Sequence, residues 1–431
     1  MQTSLSSVNS WTVMQKLLFR FFAVYFFIYI FPFPVQYIPS AVPLNIWLWF
    51  NRFWDLLVSW TGKNVLHLSY PITVKPNGSG DTTYNYVQLF LFAAFALIGA
   101  IIWSFTDRKR KSYDLLLYWL TVYVRYYLAF IMISYGLYKI VKTQFPFPFS
   151  DLAKTYGDMS PMGLLWRFMG YSTAFNVFTG LAEATGGFLL LFRKTTTFGS
   201  LVCITVLSNV VAINFCYDVP VKLLSSNLLL MAIFIAAPDM QRLINFFFRN
   251  KAVPAVNIQP KFYKRWTKIT WIAVKILLIG TVLLTTISSV WKGYKSYGDE
   301  AMLKQPMFGI YNVIKFVKNK DTLPPLTTDS LQWKQLNILL SNEATIKMMN
   351  DSVKRYSVNV DTINKTFNLF AYSYAYHLGR FSYFYPDATH LAFAGTLQND
   401  SVYILMQKID FNKTRLISRG FHWVNEYPYN K

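Results

Sequence analysis

The sequence predicts an α-helical polytopic membrane bundle of about seven transmembrane helices, followed by a C-terminal, mostly-β soluble domain. Three observations predict it. Of 431 residues, 54% are hydrophobic and 19% aromatic while only 14% are charged, far from an ordinary soluble composition. Seven mostly apolar stretches reach the roughly 20 residues that cross a hydrocarbon core of about 30 Å; they lie at about 16–34, 86–106, 114–139, 171–192, 196–216, 222–240 and 267–290. From residue 293 onward the apolar residues break into shorter alternating runs.

Charge orients these stretches. The chain carries 42 Lys and Arg against 20 Asp and Glu, a formal charge of +22. On a polytopic protein such an excess marks cytoplasmic loops, so nucleic acid is not an expected partner and the lipid bilayer is. Arg108, Lys109, Arg110 and Lys111 follow the second stretch, and Arg193 and Lys194 the fourth. Arg242, Arg249, Lys251, Lys261, Lys264, Arg265 and Lys268 join the sixth to the seventh. The alternate loops carry only Arg52, Lys63, Lys75, Lys142, Lys154 and Arg167. The basic loops are therefore expected inside, with a cytoplasmic N-terminus and residues 293–431 exported.

The first apolar run holds Lys16 and Arg20 and continues through Pro32 and Pro34, so it reads as a retained anchor rather than a cleaved signal. Residues 44–60 set Trp47, Trp49, Trp54 and Trp60 beside Arg52 and Asp55, a helix lying in the outer interface or a short re-entrant segment. Pro76 to Thr83 reads as a surface turn. Cys203 and Cys216 share one expected helix, about 20 Å apart, and cannot pair with each other. The exported part has no cysteine, which leaves a bacterial periplasm and a eukaryotic lumen both open. Asn77, Asn350, Asn364, Asn399 and Asn412 fit the short glycosylation pattern. In the tail, Val313–Val317, Tyr356–Val360, Ser382–Tyr385, His390–Leu397 and Val402–Lys408 read as strands, the last two joined as a hairpin at Asn399-Asp400. Residues 342–351 read as a short helix. The expected organisation is thus 1–113 for the N-terminal spans, 114–240 for a four-helix bundle, 241–292 for the basic loop and last span, and 293–431 for the β domain.

Polar groups inside spans cost about 2.5 to 3.5 kcal/mol each at a helix centre, so they usually face partners or a water-filled cavity. Counting about 1.5 Å per residue from the basic flanks, Arg125 lies roughly 21 Å above Lys111 and Glu183 roughly 15 Å above Arg193. By the same rise, Asn227 lies roughly 22 Å above Arg242 and Asn209 roughly 20 Å above Thr196. Arg125 and Glu183 are thus expected to form an ion pair near mid-membrane. Lys139, Asn176, Asn214, Asp218 and Lys222 form a second polar layer nearer the outer face. Arg125 and Lys139 share a helix face, as do Asn176 and Glu183, suggesting an outward-opening cleft among the third to sixth spans. Two readings stand level: the charges staple helices together, as Asn and Gly180, Gly186 and Gly187 also do in membranes, or they bind a ligand or a proton. In the second, a protonatable Glu beside Arg suits a quinol, a proton or an anionic headgroup.

Other chemistries find less support. His67, His377, His390 and His422 are scattered without metal-ligand spacing, and no nucleophile elbow, phosphate loop or dinucleotide fingerprint is present. Residues 420–429, rich in aromatics, read as packing that closes the β domain.

Gly136-Leu-Tyr-Lys139, followed by Glu183-Ala-Thr-Gly-Gly187, a Leu run and Arg193, resembles the DoxX-type membrane family over residues 114–240. In that family an Arg-bearing helix ends near Gly-x-x-Lys and the next carries Glu with downstream Gly and Leu. The resemblance places Arg125, Lys139 and Glu183 at the family's polar positions. It implies a bacterial inner membrane, which would make the tail that the charges place outside periplasmic, and one branch of the family is a membrane subunit of a thiosulfate:quinone oxidoreductase. More distantly, the layout resembles the membrane domain of vitamin K-dependent gamma-carboxylases. The first span, the Trp segment, the seventh span and the β domain depart from the small bundle. The expected function is therefore a membrane subunit of a redox-linked system that binds a quinone or small ligand. The alternative is a non-enzymatic assembly or receptor protein whose residues 293–431 bind a protein partner.

Overall fold

The computed structural model describes residues 10–37, 46–74, 77–253, 265–340, 342–371, 374 and 376–428. Pro76, Lys75, Lys261, Lys264 and Tyr429, on which sequence expectations fall, lie outside the described residues. The chain forms two compact units: residues 1–141 with 173–291, and 142–172 with 292–431.

The first unit is helical. Among the described residues seven helical segments are long and apolar enough to cross a membrane, as the sequence leads one to expect. They contain α1 (Val13–Ile30), α3 (Thr83–Thr106), α4 (Asp114–Ile140), α6 (Thr173–Leu191), α7 (Thr196–Cys216), α8 with α9 (Lys222–Ala236 and Met240–Phe247) and α10 (Arg265–Tyr297). Between α1 and α3, the Trp-rich stretch is α2 (Ile46–Asn64). It packs by one face only: Trp54 is buried with its ring 4.7 Å from that of Phe92, while Trp49 and Trp60 are exposed. Tyr84 donates to Asp55 at 2.8 Å and so satisfies the segment's acidic group.

The second unit is a closed antiparallel barrel with an attached segment. The segment, 142–172, contains α5 (Pro161–Tyr171), whose N-cap Ser160 accepts from Gly163 and whose first position is proline. After α11 (Asp299–Leu303) come β1 (Gly309–Lys318), β2 (Asp321–Thr322), β3 (Trp333–Leu340), β4 (Glu343–Met348), β5 (Val353–Asp361), β6 (Thr366–Ala371), β7 (Tyr376–Phe384), β8 (His390–Leu397) and β9 (Asp400–Lys408), then α12 (Arg415–Ser418). Each strand from β3 on pairs with its sequence neighbour, and β9 returns to β1, so eight strands close the barrel while the short β2 extends β1. Closure removes free edges. Alternate residues fill the interior, with Phe367, Phe381, Phe393, Leu336, Ile338, Ile346, Ile404 and Met406 all fully buried.

Residues 342–351 are not a helix. They hold β4, where Ala344, Ile346 and Met348 enter the core and alternate with outward-facing residues. The Ala, Glu and Met content favours a helix locally, but pairing with both β3 and β5 outweighs that preference. The β8–β9 hairpin pairs Leu397 with Asp400, so its turn is Gln398-Asn399, one residue earlier than the sequence suggests.

Contacts inside this unit carry topological information. Lys142, just past α4, pairs with Asp299, just past α10, at 2.8 Å, and Phe149 packs on Phe308. Two chain segments in contact must lie on one side of a membrane. Between them run four of the apolar segments, an even number, which returns the chain to the side it left.

Candidate functional site

The polar groups of the helical unit do not converge on one centre. Glu183 of α6 pairs with Lys139 of α4, not with Arg125. Both partners are buried, Lys139 at 7% and Glu183 at 4% exposure. Arg125 instead donates to the Thr196 hydroxyl at 2.8 Å and lies 5.1 Å over the Tyr126 ring.

The helix register explains the correction. A Cβ on Gly136 would meet the Gly180 carbonyl oxygen at 2.6 Å and the Ala184 nitrogen at 2.8 Å, and one on Gly187 would meet the Ala129 carbonyl oxygen at 2.7 Å. As residue numbers fall along α4 they rise along α6, so the helices are antiparallel and Glu183 is level with about Tyr135. Arg125 is ten residues further down, about 15 Å away. Counting depth from the basic flanks assumed that those flanks lie at one height, and they do not.

Glycine makes the pair possible. Gly136 and Lys139 sit three residues apart on α4, and Gly180 and Glu183 three apart on α6, so each glycine contact and its charged neighbour share a helix face. Backbone touching backbone leaves no room for water between the helices. Lys139 stands in the last turn of α4, where a lysine normally extends to water; here it reaches back to Glu183. Glu183 Oε1 takes that ammonium, while buried Oε2 has no hydrogen-bond partner among the described residues. On the same face of α6, one turn before Gly180, Asn176 is completely buried.

The remaining expected residues divide into separate pairs. Asn214 of α7 donates to Ser225 of α8 at 3.0 Å. Asn227 of α8 accepts from Tyr25 of α1 at 2.5 Å and donates to the Leu223 carbonyl at 2.8 Å. Asp218 and Lys222 form an ion pair at 2.8 Å, with Asp218 exposed. Asn209 is exposed on α7 and joins none of these groups. The outward-opening cleft lined by all nine is therefore replaced by helix-to-helix pairings, among which only Lys139 and Glu183 bring opposite charges together between α4 and α6.

Three contributors have no sequence signal of their own. Asp81, in the turn before α3, accepts from the backbone amides of Lys222 at 2.8 Å and Leu223 at 3.0 Å, capping α8 from 141 residues away. Gly80 reinforces this by donating to the Pro220 carbonyl at 2.8 Å. The Pro76–Thr83 stretch is thus a capping loop and not only a surface turn. Asp81→Ala should cost about 1 kcal/mol, the usual value of an N-cap, read as a lowered thermal midpoint; an unchanged midpoint would show that the cap is dispensable. Thr196 and Tyr25 are the others, each found only through its partner. Arg20, read from sequence as a sign of a retained anchor, is itself buried and donates to Ser104, the Asp107 carbonyl and Tyr113.

No family model matches the chain, and no solved structure matches it. Over 123 residues it is 31% identical to the uncharacterised protein YwoB of Bacillus subtilis (strain 168), covering 28% of this chain and 79% of that protein.

Proposed function

The chain belongs to the family of YwoB, and from that premise we propose that it is a DoxX-like integral protein of a bacterial inner membrane whose Lys139–Glu183 pair is a site for a proton or a protic, lipid-soluble ligand such as a quinol. In this reading the N-terminus is cytoplasmic and the barrel periplasmic, as the basic loops indicate. The observation that carries it is the spare oxygen of Glu183: a buried carboxylate that gives one oxygen to a lysine and leaves the other without a partner among the described residues. Buried acceptors are nearly always satisfied, and an orphan is an opening for a donor from outside the protein. A quinol hydroxyl is such a donor, and the Lys139 ammonium fixes the carboxylate so that its second oxygen can receive it. The short motifs around Gly136, Lys139, Glu183 and Gly187 support the DoxX likeness.

A second reading, a membrane assembly or receptor protein that binds a partner through its barrel, draws on the barrel wall. β1 leaves β3 after Asn312, and a cavity of about 330 Å³ opens there, lined by Leu323, Pro324, Pro325, Gln332, Trp333 and Met349. Gln332 Oε1 is buried in this region without a hydrogen-bond partner among the described residues.

One variant separates the two. Lys139→Met/Glu183→Leu removes both charges together, so no charge is left buried and unpaired. Purified in mild detergent and extracted with organic solvent, the native chain should yield near-stoichiometric quinone and the double variant at least tenfold less. Equal retention, or none in either, would assign the pair a stapling role and favour the partner reading.

A further inference from the structure

The aromatic stretch that ends the described chain does not close the barrel. Phe421 is 78% exposed, Trp423 92%, Val424 72% and Tyr427 84%. Yet this segment has local structure. Gly420, at φ +63°, turns the chain out of α12, a conformation that glycine adopts without strain. Arg419 donates to the Asn425 side chain, and Asn425 donates to the His422 carbonyl at 3.2 Å. These bonds close a small turn in which the Phe421 and Trp423 rings meet edge to face at 5.1 Å. Its polar groups are tied to one another, and its rings face outward.

The root of the segment packs, within its own unit, on residues that follow two of the apolar helices in the chain. Phe411 packs 5.5 Å from Phe149 and 6.0 Å from Phe308. Phe147, whose ring is 4.7 Å from that of Phe149, donates its amide to Asp299 at 2.8 Å. Asp299 follows the end of α10 by two residues and pairs with Lys142, two residues past the end of α4. The eleven residues from Phe411 to Phe421 thus begin beside residues joined through the chain to α4 and α10.

We infer that residues 411–428 are an interfacial arm that seats Phe421 and Trp423 in the headgroup region of the bilayer the chain itself crosses. Trp and Tyr favour that depth because the ring is apolar and its N–H or O–H stays wet. Lys413, Arg415 and Arg419 stand just before the rings, where they meet anionic phosphates. The arm is independent of the Lys139–Glu183 reading and holds whether or not that pair binds a ligand.

Site-directed spin labelling of the full chain in vesicles of phosphatidylglycerol and phosphatidylethanolamine tests this. Cys216 is exposed and is replaced by Ser, while Cys203 is buried and stays. A nitroxide at Trp423→Cys should be at least threefold more accessible to oxygen relative to a water-soluble nickel chelate than one at Ile363→Cys, a barrel turn position that is 90% exposed. A ratio equal to that at 363 overturns the arm, as does protection from both reagents, which would mean that a protein surface covers it. Without any cysteine change, brominated phosphatidylcholine should quench a smaller share of the tryptophan fluorescence in Trp423→Phe than in the native chain; equal quenching overturns the inference independently.

Discussion

Lys139→Met should lower the stability of the helical unit by about 3 to 5 kcal/mol, the cost of leaving one member of a buried ion pair alone. Glu183→Leu should cost a similar amount, because Lys139 is 7% exposed and cannot regain water without unpacking the end of α4. The double variant should recover most of the loss, since two apolar side chains of like volume suit the gap between α4 and α6. Urea or thermal unfolding in detergent, followed by circular dichroism, gives the four corners of the cycle. A coupling energy near zero would mean that the two groups do not depend on each other and would remove the basis for the site. Arg125 supplies a contrast. Its bond to Thr196 lies about 15 Å away along the helix, so Arg125→Met should add to either single loss without coupling.

Gly180→Leu should be strongly destabilising for a steric reason rather than an electrostatic one. A Cβ there meets the Gly136 carbonyl oxygen at 2.6 Å and the Ile140 nitrogen at 3.0 Å, and both are backbone atoms that cannot rotate away. The helices would have to separate, with a loss of about 3 kcal/mol, at the upper end for overpacking. Separation would also pull Glu183 from Lys139, so the variant should combine non-additively with Lys139→Met. Among the described residues, nothing lies within 4 Å of the same atom added at Gly280 on α10. Gly280→Ala should be neutral or gain up to about 1 kcal/mol from helix propensity. Thermal midpoints of the two purified variants check the contrast, and similar midpoints would refute close packing at the α4–α6 contact.

The seven apolar segments were legible because crossing a bilayer demands length and hydropathy within one continuous stretch. Strands β1, β5, β7, β8 and β9 were legible in part through period-two alternation around Val313, Tyr356, Ser382, His390 and Val402. β4 was not, because Ala344, Ile346 and Met348 also suit a helix and only their neighbours decide. Among site residues, Lys139 and Glu183 stood out as charges in apolar surroundings, but their pairing did not. Polarity marks a residue as needing a partner without naming it, and Arg125 was the wrong choice because depth along one helix says nothing of its offset against the next. Asp81 was invisible for a related reason, since its turn resembles any other until α8 is brought to it.

Taken alone, the amino-acid order determined which segments are apolar, how charge alternates between their loops, and where helical texture yields to strands. Those are properties of a stretch of chain and its solvent. Only the tertiary structure decided that Glu183 meets Lys139, that Arg125 turns to Thr196, that eight strands close on themselves, and that Phe421 and Trp423 face outward. The physical reason is that such outcomes depend on the offset of one element against another, and that offset is set by contacts such as Gly136 on Gly180, made between residues far apart in the chain.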